Sequence, residues 1–290
     1  MNTKQVNVKR LGIYLLTVFV FILGFMLCTI PVNASNTMFC ILYMLFSFSP
    51  AIASLIARAV TKEGFRDMKL HLHLSGNFRW YLLAFALPLI CFSVKFLLPV
   101  ILSGHADWLG AFTAQNVLSG IFTLVGISAV MSIGLIGEEL GWRGYMNRKL
   151  EPLLGTFGTC LIGGIIWGLW HFPIDISNYL GGYGSFSFSM KLAFGRLVLL
   201  TCFGVFLMWL TKKTVSIFPA VVAHFMFNAS QNAIMELFMQ SDIPEGTDLG
   251  KLADVFLYVP MAVLAVIFML LLLRVKARGG KLSAPKVMKV

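Results

Sequence analysis

Six side chains that can accept, hold or donate protons lie in three spaced sets inside apolar stretches of this 290-residue chain. They are Glu138, Glu139, Arg143, His171, His224 and Asn228. A carboxylate can act as a general base toward water, an imidazole exchanges protons near neutral pH, and an amide N–H can stabilise a developing oxyanion. Together these groups could carry out acid–base and hydrogen-bonding chemistry.

The first set places two adjacent glutamates and an arginine on one predicted helix. Glu139 and Arg143 are four residues apart, so they share a helix face, with the carboxylate in the favourable N-terminal position. Glu138 points about 100° away, because an α-helix has 3.6 residues per turn. One glutamate can therefore be held by the arginine while its neighbour faces a cavity.

The other two sets each place an imidazole one helical turn from a second group. His224 and Asn228 are four residues apart, and His171 follows Trp167 at the same spacing. Taken singly, a histidine or asparagine in a membrane helix more often makes a hydrogen bond between helices.

The composition predicts that these sets lie within a membrane. Hydrophobic residues form 58% of the chain, charged residues 12%, and the mean hydropathy is +0.85, whereas soluble proteins carry about 25% charged residues. Ionisable side chains at membrane depth are costly and usually mark a functional path. Three spaced sets in such a chain therefore indicate function. Three other basic residues fall within apolar stretches without a partner at a recognisable spacing: Arg58, Lys95 and Arg196.

Eight stretches are long enough to cross about 30 Å of hydrocarbon, which takes about 20 helical residues. They cover approximately 11–31, 37–59, 80–102, 117–146, 156–174, 189–211, 215–239 and 253–274. The predicted fold is all-α: a polytopic membrane protein built as a bundle of about eight transmembrane helices. Since there is no internal repeat and no long linker, residues 1–290 are predicted to form a single transmembrane helical domain.

Basic residues predict the orientation of the bundle. Lysine and arginine cluster before the first stretch and after the second, fourth, sixth and eighth. By the positive-inside rule both termini and these connections are cytoplasmic. This topology, with attraction to anionic lipids at the cytoplasmic face, explains the net charge of +11 without a nucleic-acid partner. We expect the plasma membrane of a prokaryote, and a first helix that is retained because it exceeds the 7–15 residues of a signal-peptide core.

The three sets resemble the motifs of the CPBP intramembrane proteases, also called the Abi family, to which the type II CAAX prenyl endopeptidases belong. The family pattern EExxxR, FxxxH and HxxxN reads here as EELGWR at 138–143, WGLWH at 167–171 and HFMFN at 224–228. The resemblance is strong over about 117–235, the expected protease core, and the number of spans extends it over the chain. Trp167 replaces the usual phenylalanine, which is expected to alter the shape of the pocket and not the chemistry.

The resemblance implies a membrane-embedded endopeptidase that hydrolyses a membrane-associated protein or peptide with water. Glu138, in a low-dielectric cavity, is the expected general base, and His171 can orient or deprotonate the water. His224 and Asn228 can donate two hydrogen bonds to the oxyanion of the tetrahedral intermediate. No cofactor is required in this scheme.

Glu139 and Arg143 are expected to hold the helix and shape the electric field at the site. A metal-dependent alternative remains open, because Glu138, His171 and His224 could bind Zn²⁺ with an open position for water. Other intramembrane protease designs lack their residues here: there is no HExxH sequence and no pair of aspartates within the spans.

Two readings from other functional classes also remain. In a proton-coupled transporter, the glutamate and the histidines would form a proton relay, although inverted repeats, which such carriers often show, are not evident. In a non-catalytic binding or immunity protein, the same residues would serve only recognition. Substitution of Glu138 separates these readings, because a protease loses cleavage and a sequestering protein keeps its effect.

The depths of the three sets in the membrane are difficult to reconcile from the sequence. Counted from the nearest basic cytoplasmic residues, Glu138 and His224 lie about 15 Å deep, whereas His171 lies about 23 Å from the start of its stretch. The groups can meet only if the fifth helix is tilted or begins below the membrane surface.

Overall fold

The computed structural model describes residues 3–29, 37–102, 113–122, 126, 133–182, 185–239 and 249–277. Every regular element in these ranges is helical, which confirms the predicted all-α class. The helices are α1 (Thr3–Thr29), α2 (Thr37–Ser47), α3 (Ser49–Val60), α4 (Phe78–Leu102), α5 (Ala114–Phe122), α6 (Ile133–Gly141), α7 (Asn147–Trp170), α8 (Phe172–Leu180), α9 (Phe186–Thr214), α10 (Phe218–Met239) and α11 (Leu249–Ala277). A π-helix, Trp142–Met146, joins α6 to α7.

The eight predicted stretches fall on these helices. The second comprises α2 and α3, and the fourth comprises α5, α6 and the π-helix, with residues 123–125 and 127–132 outside the described part of the chain. By length and composition, six helical segments among the described residues can cross a membrane: Lys4–Thr29, Thr37–Val60, Phe78–Leu102, Ile133–Leu180, Phe186–Thr214 and Asp254–Arg274. Helix α10 is not among them, because its polar residues lower its mean hydropathy. The chain is a multi-pass membrane protein, while its orientation and its single domain remain predictions.

A sharp break at Gly155 turns the chain back on itself within α7. Gly155 has φ 69° and ψ 179°, a conformation that favours glycine. Eight residues later, Gly163 lies against Asn147: a Cβ atom added to Gly163 would be 2.7 Å from Asn147 Oδ1. In a straight helix the two residues would be about 24 Å apart. The chain therefore forms a helical hairpin with its turn at Gly155.

This hairpin removes the mismatch in depth. Its first arm continues beyond Arg148 to Gly155, so depth must be counted from the turn. Glu138 lies 17 residues from Gly155 along one arm, and His171 lies 16 residues from it along the other. These separations correspond to about 25 Å and about 24 Å of helix, so the two side chains reach the same level.

Glycines allow the helices that carry the site to approach their neighbours closely. Gly137 and Gly141 on α6 face the junction of α2 and α3, where added Cβ atoms would lie 2.9 Å from Phe48 Cα and 2.2 Å from Pro50 Cβ. Gly164 and Gly168 bring α7 equally close to the backbone of α9. Small residues at such contacts are typical of membrane helix packing. They fix the position of α6, and with it the two glutamates.

Candidate active site

The two glutamates end α6 side by side and have different partners. Both are buried, with 1% and 0% of their surfaces exposed. Glu139 Oε1 accepts hydrogen bonds from Arg143 Nη1 and His224 Nδ1, each at 2.9 Å. Glu138 Oε2 accepts a hydrogen bond from Trp167 Nε1 at 3.1 Å. One carboxylate is thus bound by two potentially cationic groups, and its neighbour by a single neutral donor.

Trp167 contacts both halves of this arrangement. The guanidinium carbon of Arg143 lies 3.9 Å from the centroid of the indole ring, a close cation–π contact. The same indole donates its N–H to Glu138. The presence of Trp167 in place of the family's phenylalanine therefore changes the shape of the pocket and also adds a hydrogen bond to the proposed base.

His171 terminates the second arm of the hairpin, and one of its ring nitrogens has no hydrogen-bond partner among the described residues. Its Nδ1 lies 2.9 Å from the carbonyl oxygen of Trp167. Because a carbonyl oxygen can only accept, Nδ1 carries the hydrogen, and Nε2 of the neutral ring has the lone pair. This nitrogen can accept a proton or a hydrogen bond.

His224 and Asn228 project from α10 one turn apart. The His224 ring lies 5.1 Å from the Trp167 ring, centroid to centroid, and is buried. Asn228 is exposed on the helix, and no hydrogen bond from its side chain is found within the described residues. Its amide is therefore available to a bound group.

A cavity of about 500 Å³ connects four of the six predicted site residues. Its walls include Glu138, His171, His224 and Asn228. Glu139 lies behind this wall in its ion pair with Arg143. The structure thus brings all six residues into one region, four of them facing the cavity and two supporting it. Their individual roles remain predictions.

The cavity also contains charged residues whose partners were not predicted. Lys95 Nζ lies 3.9 Å from Asp254 Oδ1, and Arg196 Nη1 donates to Asp175 at 3.0 Å. Away from the cavity, Arg58 Nη1 donates a hydrogen bond to Asp67 Oδ1 at a distance of 2.5 Å. These pairs join different elements, so no regular spacing in the sequence could have identified them.

The donor set does not form a metal site as it is arranged. Within the described residues, no three His, Cys, Asp or Glu side chains are grouped so that they could hold a metal ion. Nδ1 of each histidine already has a partner, so only the Nε2 atoms could act as ligands.

The fold and site define a multi-pass helical membrane protein with a buried glutamate–histidine centre. Residues 120–230 match the model of the family described as type II CAAX prenyl endopeptidase Rce1-like, and this range includes all six site residues. CAAX prenyl protease 2 from Methanococcus maripaludis is 29% identical over 130 residues, which are 43% of this chain and 48% of the relative. Both similarities fall on the Rce1-like family that the motifs predicted. The chain spans about half the length of this curated relative.

Proposed function

We propose that this protein is an intramembrane endopeptidase that hydrolyses a peptide bond of a membrane-associated protein or peptide with water activated by Glu138. The match of residues 120–230 to the Rce1-like family model supports the reaction class. The observation that carries the proposal is the unequal treatment of two adjacent carboxylates. Glu139 is held by Arg143 and His224, whereas Glu138 faces the cavity with one hydrogen bond.

In the first step, a water molecule in the cavity transfers a proton to Glu138 as its oxygen attacks the carbonyl carbon of the substrate. Oε2 of Glu138 is occupied by Trp167, which leaves Oε1 to accept the proton. His171 Nε2 can accept a hydrogen bond from the same water and orient it. The attack produces a tetrahedral intermediate with a negatively charged oxygen.

The oxyanion requires donors already in place. The Asn228 amide supplies one. His224 Nε2 supplies a second only while the ring carries both protons, because Nδ1 faces Glu139. Glu139 Oε1 lies 2.9 Å from both His224 Nδ1 and Arg143 Nη1, so it holds the imidazole in position. Glu139 and Arg143 thus support the oxyanion donor without touching the substrate.

In the second step, Glu138 returns its proton to the amide nitrogen as the C–N bond breaks. The products are a new carboxyl terminus and a free amine, and Glu138 is again a carboxylate. The scheme uses no metal. Removal of bound metal is therefore expected to leave cleavage intact.

The polar mouth of the cavity suggests the side from which substrate enters. Lys95 lies toward the end of α4, whereas Arg196 and Asp254 lie toward the starts of α9 and α11. These helix ends are opposite the ends that carry Arg79, Lys212 and Arg274. With the basic face in the cytoplasm, the substrate segment would reach the cavity from the external half of the membrane.

The proposal is tested by comparing cells that contain the unaltered protein with cells that contain Glu138→Gln at equal abundance. Quantitative mass spectrometry of membrane-associated peptides should show new termini only with the unaltered protein. Glu63→Gln serves as a control for ion-pair loss outside the cavity, since Glu63 pairs with Lys149 and Arg10. Identical termini in cells with the unaltered protein and in cells with Glu138→Gln would exclude this mechanism and favour binding or transport.

A further inference from the structure

A second cavity, of about 680 Å³, lies behind the Glu139–Arg143 pair, among the helix ends that carry the basic residues. Its polar lining consists of Lys69, Arg143, Asn147, Arg148, Glu151, Thr211 and Lys212. We call this cavity the basic pocket. It contains none of the four residues that face the proposed substrate cavity.

Among the residues that the structure describes, one ammonium group of the basic pocket has no ion pair. Lys212 pairs with Glu151, and Arg148 lies 2.6 Å from Asp67 Oδ2. By contrast, the structure shows no ion pair for Lys69 among the described residues, although the side chain is half-buried. An unneutralised, partly desolvated cation is unfavourable unless an anion joins it.

The backbone holds Lys69 in place. Lys69 has φ 59°, a left-handed conformation that is uncommon for residues other than glycine and that persists only when its surroundings enforce it. Its carbonyl oxygen accepts a hydrogen bond from Ile217 N–H at 3.2 Å. The ammonium is therefore presented from a fixed point in the connection between α3 and α4.

The pocket borders the lipid-facing surface of the bundle. Gly155, at the turn of the helical hairpin, forms part of its wall. Leu154 and Phe157, on either side of this turn, are exposed by 47% and 61%. Exposed apolar side chains beside a cationic cavity at the ends of membrane helices match the two parts of a phospholipid.

We propose that the basic pocket binds the phosphate group of an anionic membrane lipid, with Lys69 as its central ligand and Arg148 and Lys212 beside it. The acyl chains would lie against Leu154 and Phe157. This proposal does not depend on the endopeptidase proposal, because it uses a different cavity and a binding measurement.

The binding should depend on pH in a defined direction. Burial, and then the charges of Arg148 and Lys212, lower the pKa of Lys69 to about 8, while Glu151 and Asp67 act in the opposite direction. The folded pKa lies below that of the unfolded chain, so a charged Lys69 costs stability below about pH 8 and this cost disappears at higher pH. A bound phosphate would offset the cost. Affinity should therefore fall as the pH rises through about 8.

The test uses the purified full chain in a nonionic detergent and three probes at equal ionic strength: short-chain phosphatidylglycerol, short-chain phosphatidylcholine and inorganic phosphate. Lys69→Asn is the test variant, because asparagine tolerates the left-handed backbone. Lys62→Asn is the matched control: Lys62 lies in the same connection, has φ 51° and is exposed outside the pocket.

The dissociation constant for phosphatidylglycerol should rise roughly 10- to 100-fold in Lys69→Asn, the usual effect of losing a charge-assisted hydrogen bond. It should change little in Lys62→Asn, and phosphatidylcholine should bind more weakly to the unaltered protein. Equal losses in both variants, or none in Lys69→Asn, would overturn the proposal. Binding of inorganic phosphate without phosphatidylglycerol would overturn the lipid assignment. If Lys69→Asn does not fold, the unaltered protein provides the test. An affinity for phosphatidylglycerol that stays constant between pH 7 and pH 9.5 is incompatible with the role of Lys69.

Discussion

The two glutamates should separate activity from stability when each is replaced by glutamine. Glu138→Gln removes the proposed base but retains an oxygen that can accept the Trp167 N–H, which lies 3.1 Å from Oε2. Cleavage should fall by at least the 10²–10⁴-fold usually attributed to a general base. The free energy of unfolding should change by less than about 1 kcal/mol, since no ion pair is lost.

Glu139→Gln should have a large effect on stability. It leaves the guanidinium of Arg143, whose side chain is 3% exposed, without a counter-ion in the bundle interior. Breaking a buried ion pair costs about 3–5 kcal/mol. Because the new amide oxygen in Glu139→Gln can still accept one hydrogen bond, the cost for this variant should lie near the lower end of that range. At 2–4 °C per kcal/mol, the melting temperature should fall by about 6–12 °C. Activity should also fall, because His224 loses the carboxylate that holds its ring in position.

Intrinsic tryptophan fluorescence measures both variants during thermal unfolding, because Trp142, Trp167 and Trp170 are all buried near the site. Activity is scored on the cleavage products found with the unaltered protein, normalised to folded enzyme. Glu63→Gln should lose stability and retain cleavage. A lower melting temperature for Glu138→Gln than for Glu139→Gln would show that the two roles are reversed. An unchanged melting temperature for Glu139→Gln would refute the assumption that its ion pair stabilises the fold.

Four further variants or treatments test other parts of the site. Trp167→Phe restores the family residue and removes the N–H donor to Glu138, so cleavage should fall roughly 10-fold in a kinetic assay. Asn228→Ala should reduce the rate constant about 10²–10³-fold, with little change in substrate affinity measured on Glu138→Gln/Asn228→Ala. Gly141→Ala places a Cβ atom 2.2 Å from Pro50 Cβ, so thermal unfolding should show a loss of about 1–3 kcal/mol or more in the free energy of unfolding. Gly12→Ala is the control: no atom lies within 4 Å of its added Cβ, and the change should be neutral or stabilising. Chelation should leave activity intact, and elemental analysis should find little zinc in the purified protein. The metal-free scheme would be overturned by stoichiometric zinc if its removal abolished cleavage and its return restored cleavage.

Local spacing predicted the contacts made within single helices. Glu139 and Arg143 form the expected pair at 2.9 Å, and Glu138 is directed to different partners. The predicted start of the fifth stretch, residue 156, immediately follows the break at Gly155. These features depend on helix periodicity and on apolar length, both of which can be read from one segment at a time.

Contacts between helices could not be predicted in the same way. Glu139 meets His224, 85 residues later, and Trp167 meets Glu138, 29 residues earlier. Such pairs depend on how each helix is rotated and on how closely backbones approach, which Gly137 and Gly141 determine through the space left by absent side chains. The choice between the two explanations for the depth of His171 stayed open for a related reason. The helix continues past Arg148 and turns at Gly155, and charge alone does not mark that turn.

Trp167 contacts the surroundings of both adjacent glutamates. Its ring covers the Arg143 guanidinium that holds Glu139, and its N–H reaches Glu138. A phenylalanine would keep the ring contact but offer no donor, so the Glu138 carboxylate would have to be oriented by water or substrate. In the proposed mechanism, the indole fixes Oε2 and leaves Oε1 for the attacking water. Because a general base works best when its lone pair is already directed at the proton it receives, this tryptophan acts on the orientation of Glu138 as well as on the shape of the cavity.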